Sequence, residues 1–220
     1  SRQAGALGQV LEIVHEGVTR KVNLPLIGAY QAANALTAAG LVLATGGDAA
    51  RTFDALARLQ PVRGRLERAA LNRAGAPAYV DYAHTPDALE AALAALRPHC
   101  TGRLIVVFGA GGDRDTGKRA EMGRVAARDA DHVIVTDDNP RGEDAAAIRA
   151  MVLEGAPGAA EIGERRAAIA EALGMAGPED VVLIAGKGHE QGQIVGRGAE
   201  ARVLPFDDVE VARHCAGGNA

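Results

Sequence analysis

A polar stretch, residues 136–141, places two carboxylates, an amide, a proline and a guanidinium in succession along the chain. It follows a β-branched run at 132–136, which is typical of a buried strand, and precedes apolar residues at helical spacing over 143–153. In an open α/β sheet, a loop between a strand and a helix lies at the edge where ligands bind. Pro140 disfavours the helical conformation for Asn139, so the pattern predicts an extended turn that presents polar groups. These groups suit a small zwitterion.

A glycine-rich stretch, residues 109–119, follows another apolar run at 103–108. From Gly112 its spacing matches the GxxxxGK loop of nucleotide-binding proteins, but Arg119 stands where a hydroxyl must bind magnesium, and two aspartates lie inside the loop. Its first glycines are spaced as in a dinucleotide loop, but Arg114 replaces the third glycine. We reject both motifs. Two interpretations of Arg114 stay open, a ligand for a carboxylate and a surface partner of the neighbouring aspartates.

The stretch 186–190 follows a predicted strand at 180–185. Gly186 and Gly188 allow a tight turn with exposed carbonyl groups, and Glu190 adds a carboxylate, which together suit an ammonium group. The alternative is a plain turn without a ligand.

The stretch 81–87 ends one predicted strand and opens a helix. Asp81 is placed to accept hydrogen bonds from ribose hydroxyls, as carboxylates at strand ends do in nucleotide-binding folds, and His84 offers a flat ring for a base. The local alternative is that Thr85 or Asp87 only caps the helix. By the same reasoning, Asn34 taken alone is a cap or turn residue.

These loops require a sheet to bring them together. Before Pro61, alternating apolar residues predict a hairpin with its turn at Glu16-Gly17, and two helices follow, the second capped by Asp48. Residues 1–61 bury too little surface for a comfortable domain, so we expect their domain to continue upstream of Ser1. After Pro61, strands alternate with helices, which predicts an α/β fold with a doubly wound, mostly parallel sheet over 62–220. Strands are predicted at 65–71, 78–82, 103–108, 132–136, 180–185 and 193–195, and helices at 29–44, 48–59, 86–96, 118–128, 143–153, 164–173 and from 207.

Composition narrows the function classes. The net charge is −4 and basic residues are scattered among acids, so no basic stripe indicates a nucleic-acid partner. The 2 cysteines form no CxxC pair, which argues against a disulfide framework or structural zinc site and suits a reducing cytoplasm. No apolar run is long enough to predict membrane insertion.

Four motifs together, DYAHTPD at 81–87, GAGGDRDTGKR at 109–119, TDDNPR at 136–141 and GKGHE at 186–190, resemble those of the Mur ligases, ATP-dependent amino-acid ligases of peptidoglycan synthesis. DNPR is similar to the pattern of the members that add meso-diaminopimelate. The resemblance implies a Rossmann-like C-terminal amino-acid-binding domain over 62–220, preceded over 1–61 by the C-terminal part of the central ATP-binding domain.

The resemblance also implies site residues. Those for meso-diaminopimelate are Arg114, Asp138, Asn139, Pro140, Arg141, Gly186 and Glu190, and those for ATP are Asn34, Arg65, Asp81 and His84. This assignment suits the chemistry of the residues. Diaminopimelate carries an amine and a carboxylate at each end. Its carboxylates can be held by Arg114 and Arg141, and its ammonium groups can donate hydrogen bonds to Asp138, Glu190 and the Gly186 carbonyl.

The family reaction implies ATP and Mg2+ as cofactors, and UDP-MurNAc-L-Ala-D-Glu as the acceptor, activated as an acyl phosphate. The resemblance places the catalytic residues, the Mg2+ ligands and the true P-loop upstream of Ser1. We therefore expect this chain to have none of them and to be inactive alone. A monomer is also expected. Two other functions stay open: a non-catalytic diaminopimelate-binding module, and a related ATP-dependent ligase, such as one that extends glutamate on a folate.

Overall fold

The computed structural model of the chain describes residues 1–5 and 8–217. It divides into two compact units, Ser1–Val62 and Arg63–Ala220.

The first unit contains a three-stranded antiparallel sheet and two helices. Its elements are β1 (Arg2–Gly5), β2 (Gly8–His15), β3 (Val18–Leu24), α1 (Ala29–Ala44) and α2 (Ala49–Leu56). Strands β2 and β3 form the predicted hairpin, and Glu16 and Gly17 both have positive φ, 49° and 77°, as a two-residue turn of type I′ requires. Asp48 caps α2 as predicted, since its carboxylate accepts a hydrogen bond from the Arg51 N–H at 2.8 Å. The helix ends before the predicted Leu59 because the N–H groups of Arg58 and Leu59 bond three residues back in a tightened last turn.

The second unit is built on a six-stranded sheet with the order β4-β5-β9-β6-β7-β8. Its strands are β4 (Glu67–Leu71), β5 (Pro77–Asp81), β6 (Leu104–Phe108), β7 (His132–Val135), β8 (Ala160–Glu161) and β9 (Val181–Ala185), and β10 (Gly192–Val195) and β11 (Arg202–Pro205) form a separate antiparallel ribbon. Its helices are α3 (Pro86–Leu96), α4 (Gly117–Asp129), α5 (Ala145–Leu153), α6 (Arg165–Met175) and α7 (Asp208–Cys215). Only β4 pairs antiparallel within the sheet, so the predicted mostly parallel α/β fold is confirmed.

The central strands are buried along their whole length, as strands covered on both faces are. Alternate residues of these strands, such as Ile105, Val107 and Ile184, form one core cluster with Ile169 of α6 and Val209 of α7. Because side chains alternate across a strand, the intervening residues of the same strands face the opposite side of the sheet.

The sequence did not predict β1, β8 or β11. Strand β8 is only two residues long, and every side chain of β11 is exposed, so neither carries an alternating burial pattern. Strand β11 forms because it pairs with β10, which is a property of the folded chain.

The parallel strands β5, β6, β7 and β9 point the same way, so the loops that follow them lie at one edge of the sheet. These loops contain the four motifs found in the sequence. The fold therefore brings them together.

Candidate functional site

A cavity of about 220 Å³ opens at the carboxyl ends of these strands. It is lined by Tyr82, His84, Gly111, Arg114, Lys118, Asp138, Asn139, Arg141, Gly186 and Glu190. All the residues predicted to bind an amino acid line this cavity except Pro140. His84, which is predicted to bind ATP, also lines it.

The cavity carries charges of both signs. Arg114, Lys118 and Arg141 supply cations, and Asp138 and Glu190 supply carboxylates. A site of this kind is complementary to a small molecule that carries both carboxylates and ammonium groups.

Arg141 is held by its backbone against β10. Its N–H donates to the Ile194 carbonyl at 3.0 Å, and its own carbonyl accepts from the Gly196 N–H at 2.8 Å. Its φ of 51° lies in the left-handed region, which is uncommon for a residue with a side chain. The guanidinium Nη1 donates to the Gly112 carbonyl at 3.0 Å, and a guanidinium has five donors, so further donors are available for a ligand in the cavity.

The Asn139 side chain is buried and connects three segments. Its Nδ2 donates to Glu190 Oε2 at 3.0 Å, and its Oδ1 accepts from Lys187 Nζ at 2.8 Å and from the Ile194 N–H at 2.9 Å. The amide therefore positions Glu190 within the cavity. A direct contact of Asn139 with a ligand stays a prediction.

Asp138 is 6% exposed and lies beside Gly186. A Cβ at Gly186 would lie 2.8 Å from Asp138 Oδ2, and Gly186 has a φ of 120°, so only glycine fits this turn without strain. Lys187 Nζ lies 3.2 Å from Asp138 Oδ1, an ion-pair contact whose geometry is not that of a hydrogen bond. Burial lowers the pKa of Lys187, and Asp138 opposes that shift.

Pro140 does not line the cavity. It is buried on the other side of its loop, near Ile148 and Arg149, and a Cβ at Gly112 would lie 1.9 Å from the Pro140 carbonyl oxygen. Its place in the structure is therefore packing between the 136–141 loop and the glycine-rich loop, and the predicted ligand contact of its side chain has no support from this geometry.

Arg114 is exposed at the cavity, where its guanidinium donates to the Asp113 carbonyl oxygen at 3.1 Å. The neighbouring carboxylates have other partners: Asp113 pairs with Arg197 at 3.1 Å, and Asp115 accepts from the Gly117 N–H at 2.9 Å. Arg114 thus contacts the backbone of Asp113 and not its carboxylate, and the role of Arg114 as a ligand for a carboxylate stays a prediction.

Arg119 is fully buried and pairs with both carboxylate oxygens of Glu143, each at 2.8 Å. Hydrogen bonds from Arg119 and the Asp113 N–H lower the pKa of Glu143. A phosphate-binding loop would need a magnesium-binding hydroxyl at this position, so the buried ion pair agrees with the rejection of that motif.

Three of the four residues predicted for ATP, Arg65, Asp81 and His84, lie near Tyr82. Arg65 Cζ lies 4.7 Å from the centre of the Tyr82 ring, and the His84 ring lies 4.6 Å from it. Asp81 is buried, and its two oxygens accept from the Ala83 N–H at 2.9 Å and the Leu66 N–H at 2.8 Å. Desolvation raises the pKa of Asp81 although these hydrogen bonds oppose it.

Asn34, the fourth residue predicted for ATP, and Thr85, the predicted helix cap of the 81–87 stretch, can also be placed. Asn34 lies exposed on α1 of the first unit. Thr85 caps α3 by accepting from the Ala88 N–H at 3.3 Å, so the local interpretation of this residue is confirmed.

Sequence reasoning missed three cationic residues of the site. Lys118 lines the cavity and donates to the His84 carbonyl at 2.8 Å, and burial lowers its pKa. Lys187 and Arg165 are fully buried behind the cavity. The two glycines that flank Lys187 could have indicated a special position. Its burial could not be expected from the sequence, because lysine is seldom buried unless it is paired.

Arg165 joins two of the loops. It forms a bidentate pair with Asp208, with distances of 2.8 and 2.7 Å, and donates to the carbonyl groups of Ala185 at 3.0 Å and Asp137 at 3.3 Å. The Ala185 carbonyl lies at the end of β9 and the Asp137 carbonyl just after the end of β7, so Arg165 helps to fix the distance between two sides of the site.

Within residues 1–5 and 8–217, no helix is long and apolar enough to cross a membrane. Over the same residues, no group of three or more His, Cys, Asp or Glu is arranged to hold a metal ion.

The comparisons with known proteins agree with this geometry. The family model described as "Mur ligase, glutamate ligase domain" matches residues 64–188. UDP-N-acetylmuramoyl-L-alanyl-D-glutamate--2,6-diaminopimelate ligase of Zymomonas mobilis subsp. mobilis is 65% identical over 213 residues, which cover 97% of this chain and 44% of the relative. The chain thus spans less than half the length of that curated relative.

Two solved structures of ligases are also similar to this chain. A structure of UDP-N-acetylmuramoyl-L-alanyl-D-glutamate--2,6-diaminopimelate ligase superposes with a TM-score of 0.74 at 35% identity, covering 99% of this chain and 44% of that one. A Mycobacterium tuberculosis folylpolyglutamate synthase complexed with ADP has a TM-score of 0.66 at 26% identity, covering 84% of this chain and 44% of that one.

Proposed function

This chain belongs to the Mur ligase family, and from this premise we propose that it forms the amino-acid-binding part of an ATP-dependent ligase that adds meso-diaminopimelate to UDP-MurNAc-L-Ala-D-Glu in peptidoglycan synthesis. The observation that carries the proposal is the cavity that places Arg114 and Arg141 beside Asp138 and Glu190. Relatives of this chain have names that state this reaction.

In the proposed complex, Arg114 and Arg141 hold carboxylates of diaminopimelate through charge-assisted hydrogen bonds. Asp138, Glu190 and the Gly186 carbonyl accept hydrogen bonds from its ammonium groups. Lysine lacks the second carboxylate and would leave a guanidinium without its partner. A site built for such a hydrogen bond discriminates strongly against an analogue that lacks the bonding group.

The residues around Tyr82 are suited to hold a nucleotide. Arg65 can meet a phosphate and His84 can lie beside the base, whereas Asp81 reaches a ribose only through lone pairs that its backbone contacts leave available. In the proposed reaction, the acceptor carboxylate would take the γ-phosphoryl group of ATP with release of ADP, and the amine of diaminopimelate would then displace phosphate from the acyl phosphate to form the amide. The contribution of this chain to that step is positioning.

The proposal is tested with a protein that contains this chain together with the remaining length of its relatives. Incubation with ATP, Mg2+, UDP-MurNAc-L-Ala-D-Glu and either meso-diaminopimelate or L-lysine is followed by mass spectrometry of the product. We expect the tripeptide product with meso-diaminopimelate at a kcat/KM far above that with lysine. A preference for lysine would overturn the proposal, and so would addition of glutamate to a folate in a parallel incubation with ATP, glutamate and the folate. Binding of meso-diaminopimelate by calorimetry without any ligation would favour the non-catalytic module.

A further inference from the structure

Lys187 is a fully buried cation behind the amino-acid cavity, which it does not line. Its Nζ donates to the side-chain oxygen of Asn139 at 2.8 Å and to the Gly192 carbonyl at 2.9 Å, and it lies 3.2 Å from Asp138 Oδ1. Two of the three ammonium donors thus meet hydrogen-bond acceptors, and the ion-pair contact with Asp138 adds electrostatic compensation. A lysine in this position is costly to desolvate and requires such partners.

One effect of Lys187 is on the orientation of the Asn139 amide. The amide oxygen receives Lys187 Nζ and the Ile194 N–H, so the amide nitrogen is directed to Glu190 Oε2. That contact holds the Glu190 carboxylate at the cavity. Without Lys187, the amide oxygen would lose one of these two donors, and the Ile194 N–H and the Glu190 carboxylate would be left to hold the orientation of the amide.

The second effect is on Asp138. This carboxylate is buried, and its Oδ1 receives no hydrogen bond from residues 1–5 or 8–217, so Lys187 at 3.2 Å compensates its charge directly. Arg165 adds a second buried positive charge whose field reaches Asp138 and Glu190.

We propose that Lys187 is the positioning residue for ammonium recognition: it orients Glu190 through Asn139 and compensates Asp138, so that both carboxylates face the amines of the substrate. This inference rests on the proposed function, because it concerns the same cavity. Recognition of the ammonium groups then depends on Lys187, and recognition of the second carboxylate depends on Arg141.

The test uses three amino acids and two variants in the full-length enzyme. The substrates are meso-diaminopimelate, 2-aminopimelate, which lacks one amine, and L-lysine, which lacks one carboxylate. Lys187→Met keeps an unbranched side chain that is one atom shorter and removes its charge. We expect it to raise the KM for meso-diaminopimelate by about tenfold or more, as loss of a charge-assisted contact does, with a smaller change in kcat and in the KM for ATP.

The discriminating readout is the preference among substrates. Lys187→Met is expected to lose most of the preference for meso-diaminopimelate over 2-aminopimelate while keeping the preference over lysine, and Arg141→Ala is expected to show the reverse.

Asn72→Ala is the control for a loss of stability. Asn72 lies remote from the cavity, and its amide donates to the Leu173 and Ala176 carbonyls at 2.8 Å each. Each enzyme is assayed at a temperature where circular dichroism shows it folded. Asn72→Ala should lower Tm and leave all three KM values unchanged.

The outcomes separate the two proposals. A wild-type enzyme that shows no preference for meso-diaminopimelate over lysine overturns the proposed function. A wild-type enzyme that has this preference, combined with a folded Lys187→Met variant that still prefers meso-diaminopimelate over 2-aminopimelate, overturns only the role of Lys187.

Discussion

At the scale of single residues, Arg141 has an unusual backbone conformation and a guanidinium group that lines the cavity. Its positive φ puts a side-chain-bearing residue where glycine is favoured, at a cost of about 1–2 kcal/mol. The backbone hydrogen bonds with Ile194 and Gly196 maintain that conformation. Retaining arginine in this conformation is explained if its guanidinium is needed in the cavity.

Two substitutions at Arg141 separate folding from binding. Arg141→Ala and Arg141→Gly both remove the guanidinium, so both are expected to raise the KM for meso-diaminopimelate by about 10- to 100-fold, with little effect on the use of lysine. Only glycine relieves the backbone strain, so Arg141→Gly should be the more stable variant by about 1 kcal/mol. Steady-state kinetics and urea unfolding measure the two effects.

Arg124→Ala is the matched control, because Arg124 is an exposed arginine on α4. It should leave both quantities unchanged. Unaltered selectivity in the Arg141 variants would show that this guanidinium does not read the second carboxylate.

At the scale of elements, the site depends on loops that touch through glycines. Gly112 packs directly on the Pro140 carbonyl, so the glycine-rich loop supports the 136–141 loop from one side. Arg165, Lys187 and β10 hold it from the other sides. The loops therefore depend on one another for their conformation.

Gly112→Ala tests this support. Its Cβ would lie 1.9 Å from a backbone oxygen, so the loops must separate, and overpacking of this kind costs about 1–3 kcal/mol. We expect a lower midpoint of urea unfolding and weaker use of meso-diaminopimelate. Gly174→Ala is the control, because a Cβ in that position of α6 meets open space, and it should increase stability by about 0.5–1 kcal/mol. Equal behaviour of the two variants would contradict the proposed packing.

The glycine-rich loop also bears on ATP turnover. Its conformation is fixed by Pro140 and by the buried Arg119–Glu143 pair, and it offers no hydroxyl at the magnesium position. We expect the purified 220-residue chain alone to show no ATP hydrolysis above a buffer blank in a phosphate-release assay. Measurable turnover, retained after removal of contaminants by gel filtration, would refute the rejection of this loop as a P-loop.

At the scale of the whole second unit, the two edges of the sheet have different tasks. The carboxyl edge carries the cavity, whereas carboxylates at the amino edge stabilise strand ends. Asp131 accepts from the Leu104 N–H at 2.7 Å, and Asp180 accepts from the Arg103 N–H at 2.6 Å and the Gly177 N–H at 2.9 Å.

These amino-edge carboxylates predict sensitivity to acid. The hydrogen bond from Leu104 lowers the pKa of Asp131, and burial acts to raise the pKa of Asp180, but hydrogen bonds from Arg103 and Gly177 together lower it. A carboxyl group whose pKa is lower in the folded state stabilises the fold above its unfolded pKa and loses that effect as the pH falls through the folded value. We therefore expect stability to fall as the pH drops below about 4.

Urea unfolding from neutral pH down into this acid range measures the effect. Asp180→Asn should be less stable than the wild type at neutral pH, and the difference should shrink in acid. A constant difference across the range would contradict the role of the Asp180 carboxylate.

The sequence alone determined the α/β class, most element positions and the four loops that meet at one edge, because each of these follows from local patterns of hydrophobicity, glycine and proline. It could also place Arg141, Asp138 and Glu190 in one site, since parallel strands must direct their following loops to the same edge.

Only the tertiary structure decided which polar groups face the cavity and which lie behind it. Pro140 packs on Gly112, Asn139 is directed to Glu190, and Lys187 and Arg165 are buried cations that no local pattern distinguishes from solvated ones. The physical reason is that burial and hydrogen-bond partners are set by segments distant in the chain: Lys187 meets Asn139 48 positions away, and Arg165 meets Asp208 43 positions away.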